Sequence, residues 1–513
     1  MGEYKTPGVY IEDVSTVALL DNNSTTVGAF VGITQRGEIN KPVLITSWNG
    51  YIEKFAYGLS SPFFANSDLA FAVYGFFQNG GKSCYIVRTE HTELVASEAI
   101  ATASSASLTW ASGHTPTNVP VIKAKEEGVW GDKLKLYIVA NSVNTSNFDV
   151  YVYYDTTIDT TNYSKGTVEI FRNLSNSATD AYYWIDIING SSNYIKAVSG
   201  SFIYNNALEV PSAVVTFTGG VDAYSQLLTA DWTASLTTLD AYKDFNMICM
   251  PGQTTASLNG ALKAYAEGRD DCFAIFDLPL TTVSASEAIT TKRSVETSGL
   301  GTSDRGCVVY PWVRVSNPLS PTGQSIAIPA CGHVMGVFSR IIAARGVWKA
   351  PAGTEAVIRG VIECVYSNTD ADVGNLNTNG IIPLVVKNNV GIVVWGARSL
   401  SDNKDYTYTS DCLLDIYIKK SLSSDTSVFV FESNDRDTWG KIKTVCESFL
   451  DTLWRSGGLK GETAKEAYYV KCDSDINTQD TINRGLLFCD IGYARKKPNE
   501  FIVFRISHEV SSV

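Results

Sequence analysis

At 513 residues the chain is too long for one ordinary core, and typical domain sizes point to roughly three to four domains. It is 44% apolar and 11% aromatic, with 40 glycines and no low-complexity tract, a composition that excludes a disordered or fibrous chain. A net charge of −12, relieved only by the short clusters Lys419-Lys420 and Arg495-Lys496-Lys497, excludes the basic face of a nucleic-acid binder; those clusters read as solvated surface.

The longest apolar runs, such as 381–386 interrupted by Pro383, fall short of the ~18 residues of a membrane span. The first ten residues lack the basic start and apolar core of a secretory signal. The expectation is a chain that folds and assembles in the cytoplasm without touching membrane.

In chain order, residues 1–22 read as an arm. Val9, Tyr10, Ile11 and Glu12 form a short alternating segment behind Pro7-Gly8. Too little chain precedes them for a sheet of their own, so they must pair with something distant or with another chain. Fully extended, 20 residues reach roughly 65 Å. Residues 23–91 read as the first part of an α/β body: a strand over 27–33, a helix over 47–55 opened by Ser47, a helix over 68–78 closed by Asn79-Gly80-Gly81, and a strand over 84–89.

Residues 92–218 change texture. They hold no cysteine, are dense in Ser, Thr, Asn and Tyr, and alternate with period 2 over 133–139, 149–154 and 214–218. Such a block between cysteine-bearing α/β stretches reads as an inserted, mostly-β outer domain with its exit at Gly219-Gly220.

Beyond it, a strand over 246–250, a helix over 256–267 and a strand over 272–277 form a βαβ unit and predict a parallel pair. A helix over 284–297, a strand over 306–315 and a helix over 330–344 follow. Strands over 381–386 and 391–395 come next, then helices over 411–422 and 438–456. In the last helix Trp439, Ile442, Val445, Phe449 and Leu453 make one apolar stripe that ends at Gly457-Gly458. The chain closes on a strand-like run over 501–507, with Ile502, Phe504 and Ile506 on one face. The fold class is α/β (α+β), multi-domain: arm 1–22, body 23–91, insertion 92–218, middle domain 219–350, C-terminal domain 351–500 and arm 501–513.

No catalytic or metal motif stands out. Gly81-Lys82-Ser83 resembles the end of a Walker A loop, but Phe76 stands where its first glycine belongs, and a helix precedes where a P-loop needs one to follow. Gly301-Thr302-Ser303 has no identifiable base among His91, His114, His333 and His508. The polar run 368–372 with Asn375 and Asn377 lacks EF-hand spacing and reads as an ordinary polar turn. The ten cysteines are nowhere closer than the 17 residues between Cys472 and Cys489, which excludes CxxC knuckles. They read as reduced, buried small hydrophobes.

Several segments, in this order, carry a family resemblance. They are Thr6-Pro7-Gly8-Val9-Tyr10-Ile11-Glu12; Phe30-Val31-Gly32 with Arg36-Gly37 and Pro42; Phe76-Phe77-Gln78-Asn79-Gly80-Gly81 with Cys84-Tyr85-Ile86-Val87-Arg88; and Gly219-Gly220-Val221-Asp222. Tyr265-Ala266-Glu267, Pro311-Trp312, the run 343–353, Trp395-Gly396-Ala397-Arg398 and 500–506 complete the set. Together the chain resembles the tail sheath proteins of contractile phage tails and phage-tail-like bacteriocins (contractile injection systems); the 92–218 block matches least.

The resemblance implies a structural protein without cofactor or catalytic site. It implies self-assembly into hexameric rings stacked around an inner tail tube protein, in a metastable extended polymer. Contraction of that polymer would drive the tube through a target envelope. Its partners would also include baseplate and tail terminator proteins, and its location would be the host cytoplasm and then the virion or tail-like particle. In similar sheaths the terminal arms add strands to neighbouring subunits, which would assign that role to Val9, Tyr10, Ile11, Glu12, Phe501, Ile502, Val503, Phe504, Arg505 and Ile506. The middle domain would be subtilisin-like but non-catalytic, and Lys441 and Lys443 on the 438–456 helix would face the tube. From the residues alone, an α/β hydrolase-like enzyme with a β accessory domain, or an exported β-rich adhesin, stays open.

Overall fold

The computed structural model describes residues 26–92, 102–159 and 162–500. The strand expectations for 9–12 and 501–506 lie outside the described residues. The described chain forms two compact units, one built from 26–340 and 351–407, the other from 341–350 and 408–500.

The larger unit is organised by an eight-stranded sheet. Its order is Val43–Ile45, Ser83–Arg88, Val27–Gly32, Met247–Cys249, Phe273–Asp277, Gly306–Tyr310, Ile381–Lys387, Gly391–Val394. The six central strands are parallel and the two edge strands antiparallel. This explains the unbroken apolar runs: every residue of Val27–Gly32 and of Phe273–Asp277 is buried, as strands covered on both faces must be.

The helices Leu69–Gln78 and Cys331–Arg345 meet through glycines. A Cβ on Gly332 would stand 2.4 Å from the Ala72 carbonyl oxygen, and one on Gly336 would stand 2.5 Å from that of Phe76. Asp277, at the end of its strand, caps the second helix: its Oδ1 accepts from the backbone N–H of Ala330 and of Cys331, each at 3.0 Å.

The insertion makes a separate seven-stranded antiparallel sheet. Its order is Thr167–Leu174, Phe148–Tyr154, Leu134–Ala140, Val215–Thr218, Ser105–Ser107, Val121–Ala124, Ile195–Ser199. Leu134, Leu136 and Ile138 alternate into a second core, which the helix Trp184–Ser191 closes with Trp184 and Ile188. Chain entry and exit sit side by side, because the N–H groups of Thr102 and Val221 donate to each other's carbonyls at 3.1 Å.

In the smaller unit the helices Thr409–Thr426 and Arg436–Arg455 pack with a two-stranded hairpin of Tyr468–Lys471 and Asp490–Tyr493. Asp435 caps the second helix by accepting from Thr438 N–H at 2.9 Å. The inward stripe is Trp439, Ile442, Cys446, Phe449, Leu450 and Leu453, so Cys446 takes the fully buried place expected of Val445.

Three elements depart from the sequence reading. The strand expected over 306–315 divides at Pro311, which has no N–H to donate. Gly306–Tyr310 stays in the large sheet, while Val313–Ser316 pairs with Ser325–Ile328 and Glu363–Cys364. The helix expected over 284–297 breaks at Ser294, whose side chain accepts from Thr297 N–H and starts the short helix Val295–Ser298. The polar run near 370 is the helix Asp370–Thr378, opened by a reciprocal Thr369–Asp372 capping box.

Candidate functional site

The residues that stood out as enzyme-like are locked into structure. Lys82 is exposed between the C-cap of Leu69–Gln78 and the strand Ser83–Arg88, where no helix N-terminus faces it. Ser303 is buried and its Oγ accepts the Arg305 N–H at 3.2 Å. His91 Nδ1 lies 2.9 Å from Asp231 Oδ2, but His91 is fully buried and no substrate could reach it. Among the described residues no group of His, Cys, Asp or Glu has the arrangement of a metal site, and no helix is long and apolar enough to cross a membrane.

Two of the arginines in the family-like segments instead fasten the insertion to the body. The Arg36 side chain, 3% exposed, donates to Glu126 Oε2 at 3.1 Å and to the carbonyls of Tyr57 and Asn193. Its guanidinium lies over the Trp130 ring, 3.9 Å from the centroid. Arg88, fully buried, donates to the Gly37 carbonyl at 2.8 Å and to the Glu127 carbonyl and Glu90 Oε1, both at 3.1 Å. Burial pushes the Glu90 carboxyl up to about 7 despite Arg88 beside it.

In the smaller unit, residues 493–497 are held to the Thr409–Thr426 helix. Tyr493 Oη donates to Asp415 Oδ1 at 3.0 Å, Lys419 pairs with Asp415 at 3.1 Å, and Lys497 reaches the buried Asp411 at 3.3 Å. Burial raises the Asp411 carboxyl, and Lys497 acts against that rise. Lys419 and Lys497 remain exposed, as the sequence suggested, while their ammonium groups pair with these buried carboxylates. Each hairpin strand has one ladder partner among the described residues.

Of the two lysines singled out, Lys441 is exposed and Lys443 is half-buried, 3.8 Å from Glu447. Lys441 shares a shallow groove with Phe429, and the neighbouring turn exposes Val428, Val430 and Phe431, the last at 103%. Sequence periodicity missed this turn because the four consecutive apolar residues Val428, Phe429, Val430 and Phe431 carry no period.

Comparison with known proteins gives these features a common setting. The profile of the phage tail sheath protein central domain matches residues 226–400, and that of the phage tail sheath C-terminal domain matches 401–509. The chain belongs to the phage tail sheath family. The tail sheath protein of Salmonella phage ViI is 26% identical over 157 residues, 30% of this chain. That match spans only 24% of the phage protein's length.

Solved sheath structures share the fold across nearly the whole chain. A chain of the anti-feeding prophage baseplate aligns over 99% of this chain and 100% of its own, with a TM-score of 0.59 at 20% identity. The contracted sheath of the extracellular contractile injection system PVC aligns over 99% of both, with a TM-score of 0.58 at 21% identity. The sheath tail protein of Listeria innocua gives a TM-score of 0.60 at 12% identity, over 92% of this chain and 95% of its own. The smaller unit thus falls mostly within the match to the sheath C-terminal domain, and Arg36 and Arg88 lie ahead of both matched segments.

Proposed function

We propose that this chain is the structural subunit of a contractile tail sheath. It polymerises as stacked hexameric rings around an inner tube and shortens from a metastable extended state to drive that tube through an envelope. The observation that carries the reading is the continuous match to both sheath domains over 226–509. It is not an enzyme; the segment 219–350 is a subtilisin-like scaffold used without catalysis.

Copies are joined by their arms. The segments around Val9–Glu12 and 501–506 add strands to neighbouring copies, and the Tyr468–Lys471/Asp490–Tyr493 hairpin is the acceptor. A two-stranded sheet is marginal alone and gains from further strands. Each added backbone hydrogen bond contributes about 0.5–1.5 kcal/mol and persists while side-chain contacts exchange. The exposed Val428, Val430 and Phe431 with Lys441 and Lys443 face the inner tube, since a solvent-exposed apolar cluster marks a partner surface. Baseplate and terminator proteins cap the polymer, which assembles in the host cytoplasm and is carried in a phage or tail-like particle.

Negative-stain microscopy of the purified full chain over a salt series tests the reading. Rings or tubes are expected, and a monodisperse monomer at every salt concentration would overturn it. Removing residues 1–16 tests the arms separately: a folded monomer that no longer polymerises is expected, and undiminished polymer would sink the strand-addition reading.

A further inference from the structure

The smaller unit gathers three thiols that are far apart in sequence. The hairpin register pairs Lys471 with Asp490, so the next residues outward, Cys472 and Cys489, face each other across the hairpin mouth. Asn477 fixes that mouth: its Nδ2 donates to the Phe488 carbonyl at 2.9 Å, and its Oδ1 accepts the Phe488 N–H at 2.7 Å. Cys446 projects from the inner face of Arg436–Arg455, which packs on Tyr468–Lys471, and the Cys489 thiol lies beside those of both Cys446 and Cys472. Cys446 and Cys472 are buried, whereas Cys489 is half-buried and gives the cluster its opening.

A second thiol pair shows what distinguishes this cluster. Cys249 and Cys331 also lie beside each other, but both are completely buried next to Asp277 and offer no entry.

We propose that the Cys446–Cys489 pair is a redox-modification site, which closes to a disulfide when a small peroxide reaches it, with Cys472 as the exchange partner. Cys446 is the better nucleophile of the two flanking thiols. The neighbouring Cys489 thiol holds it below the ordinary thiol range, while burial pushes Cys472 up to about 12. Hydrogen peroxide takes a thiolate of the pair to a sulfenic acid, and the neighbouring thiol attacks that sulfur and expels water. Two thiols lose two electrons and two protons, and one peroxide becomes two waters. The bond ties the Arg436–Arg455 helix to the hairpin. It stays open in a reducing cytoplasm and closes once the protein is outside it.

The test uses the full chain purified under reductant, then exchanged into hydrogen peroxide, alkylated, digested and mapped by mass spectrometry. A peptide joining Cys446 to Cys489 is expected, with Cys249 and Cys331 alkylated only after denaturation. The unfolding midpoint should rise by several degrees and return on adding dithiothreitol. Cys489→Ser should abolish the linkage, and Cys446→Ala should move it to Cys472–Cys489. The map of the unaltered chain decides the matter even where a variant fails to fold. Recovery of Cys446 and Cys489 as free thiols, as sulfinic acids, or only in links between copies would overturn the proposal.

Discussion

Arg36 shows how one residue can be visible in a sequence while its work is not. Its place in a family-like segment is plain, but its partners Glu126 and Asn193 are 90 and 157 positions away and no local pattern announces them. A lysine cannot reproduce a planar fork that bridges a carboxylate and two carbonyls while stacked on Trp130. Arg36→Lys should lower the unfolding free energy by ~2–4 kcal/mol, read from urea denaturation, because the half-buried Glu126 is left with a poorer partner and two carbonyls lose their donor. A shift within error would mean the clamp is dispensable.

Asp277 carries a pH signature at the same scale. Burial raises its carboxyl to about 7; the Cys331 and Ala330 hydrogen bonds oppose the rise, and the neighbouring Asp68 adds to it. The folded state therefore binds a proton that the unfolded chain has released above about pH 4. The stabilising contribution is complete below the unfolded value and is lost as pH rises through about 7. Asp277→Asn keeps an acceptor for both N–H groups and removes the titration. Its stability relative to the parent should improve between pH 4 and 8, by roughly 2–4 kcal/mol. Equal stability differences at pH 5 and pH 8 would contradict this.

At the level of elements, glycines give a paired prediction of opposite sign. Gly332→Ala forces a methyl against the Ala72 backbone and should cost about 1–3 kcal/mol. Gly260 lies within Ala256–Arg269, and an added methyl there would meet nothing inside 4 Å, so Gly260→Ala should stabilise by about 0.5–1 kcal/mol. Thermal melts of the two variants check both signs together.

The same scale explains what sequence patterning could reach. The long helices and the all-buried parallel strands announce themselves through apolar runs, caps and terminal glycines. The hairpin Tyr468–Lys471/Asp490–Tyr493 does not, because strands of four residues separated by 18 leave too short a period to detect. The thiol cluster was hidden for the same reason: sequence spacing rules out a CxxC motif, whereas antiparallel pairing is what brings residues 472 and 489 together.

For the molecule as a whole, the change of texture over 92–218 coincides with the seven-stranded sheet, whereas what fastens that sheet to the body left no local pattern. The insertion enters and leaves through Thr102 and Val221, so excising 103–220 and joining the ends should leave the eight-stranded sheet intact. The excised chain is expected to keep a cooperative unfolding transition, read from circular dichroism. Its melting temperature should fall, because Arg36 loses Glu126, Trp130 and Asn193. Loss of the cooperative transition would show that the body needs the insertion to fold.

The Lys497–Asp411 and Tyr493–Asp415 contacts carry a mechanical consequence. Tension transmitted along the chain beyond residue 500 meets these two contacts together with the backbone bonds that join Ala494 to Lys460 and Ala467. From there it reaches Asp490–Tyr493, whose register pairs Tyr493 with Tyr468 at the end where the chain both enters and leaves the hairpin. Bonds loaded from that end yield in turn, like a zipper, so the ladder alone resists poorly. A tug from beyond residue 500 is therefore borne first by two carboxylates, as a pull on the Thr409–Thr426 helix, before the hairpin opens.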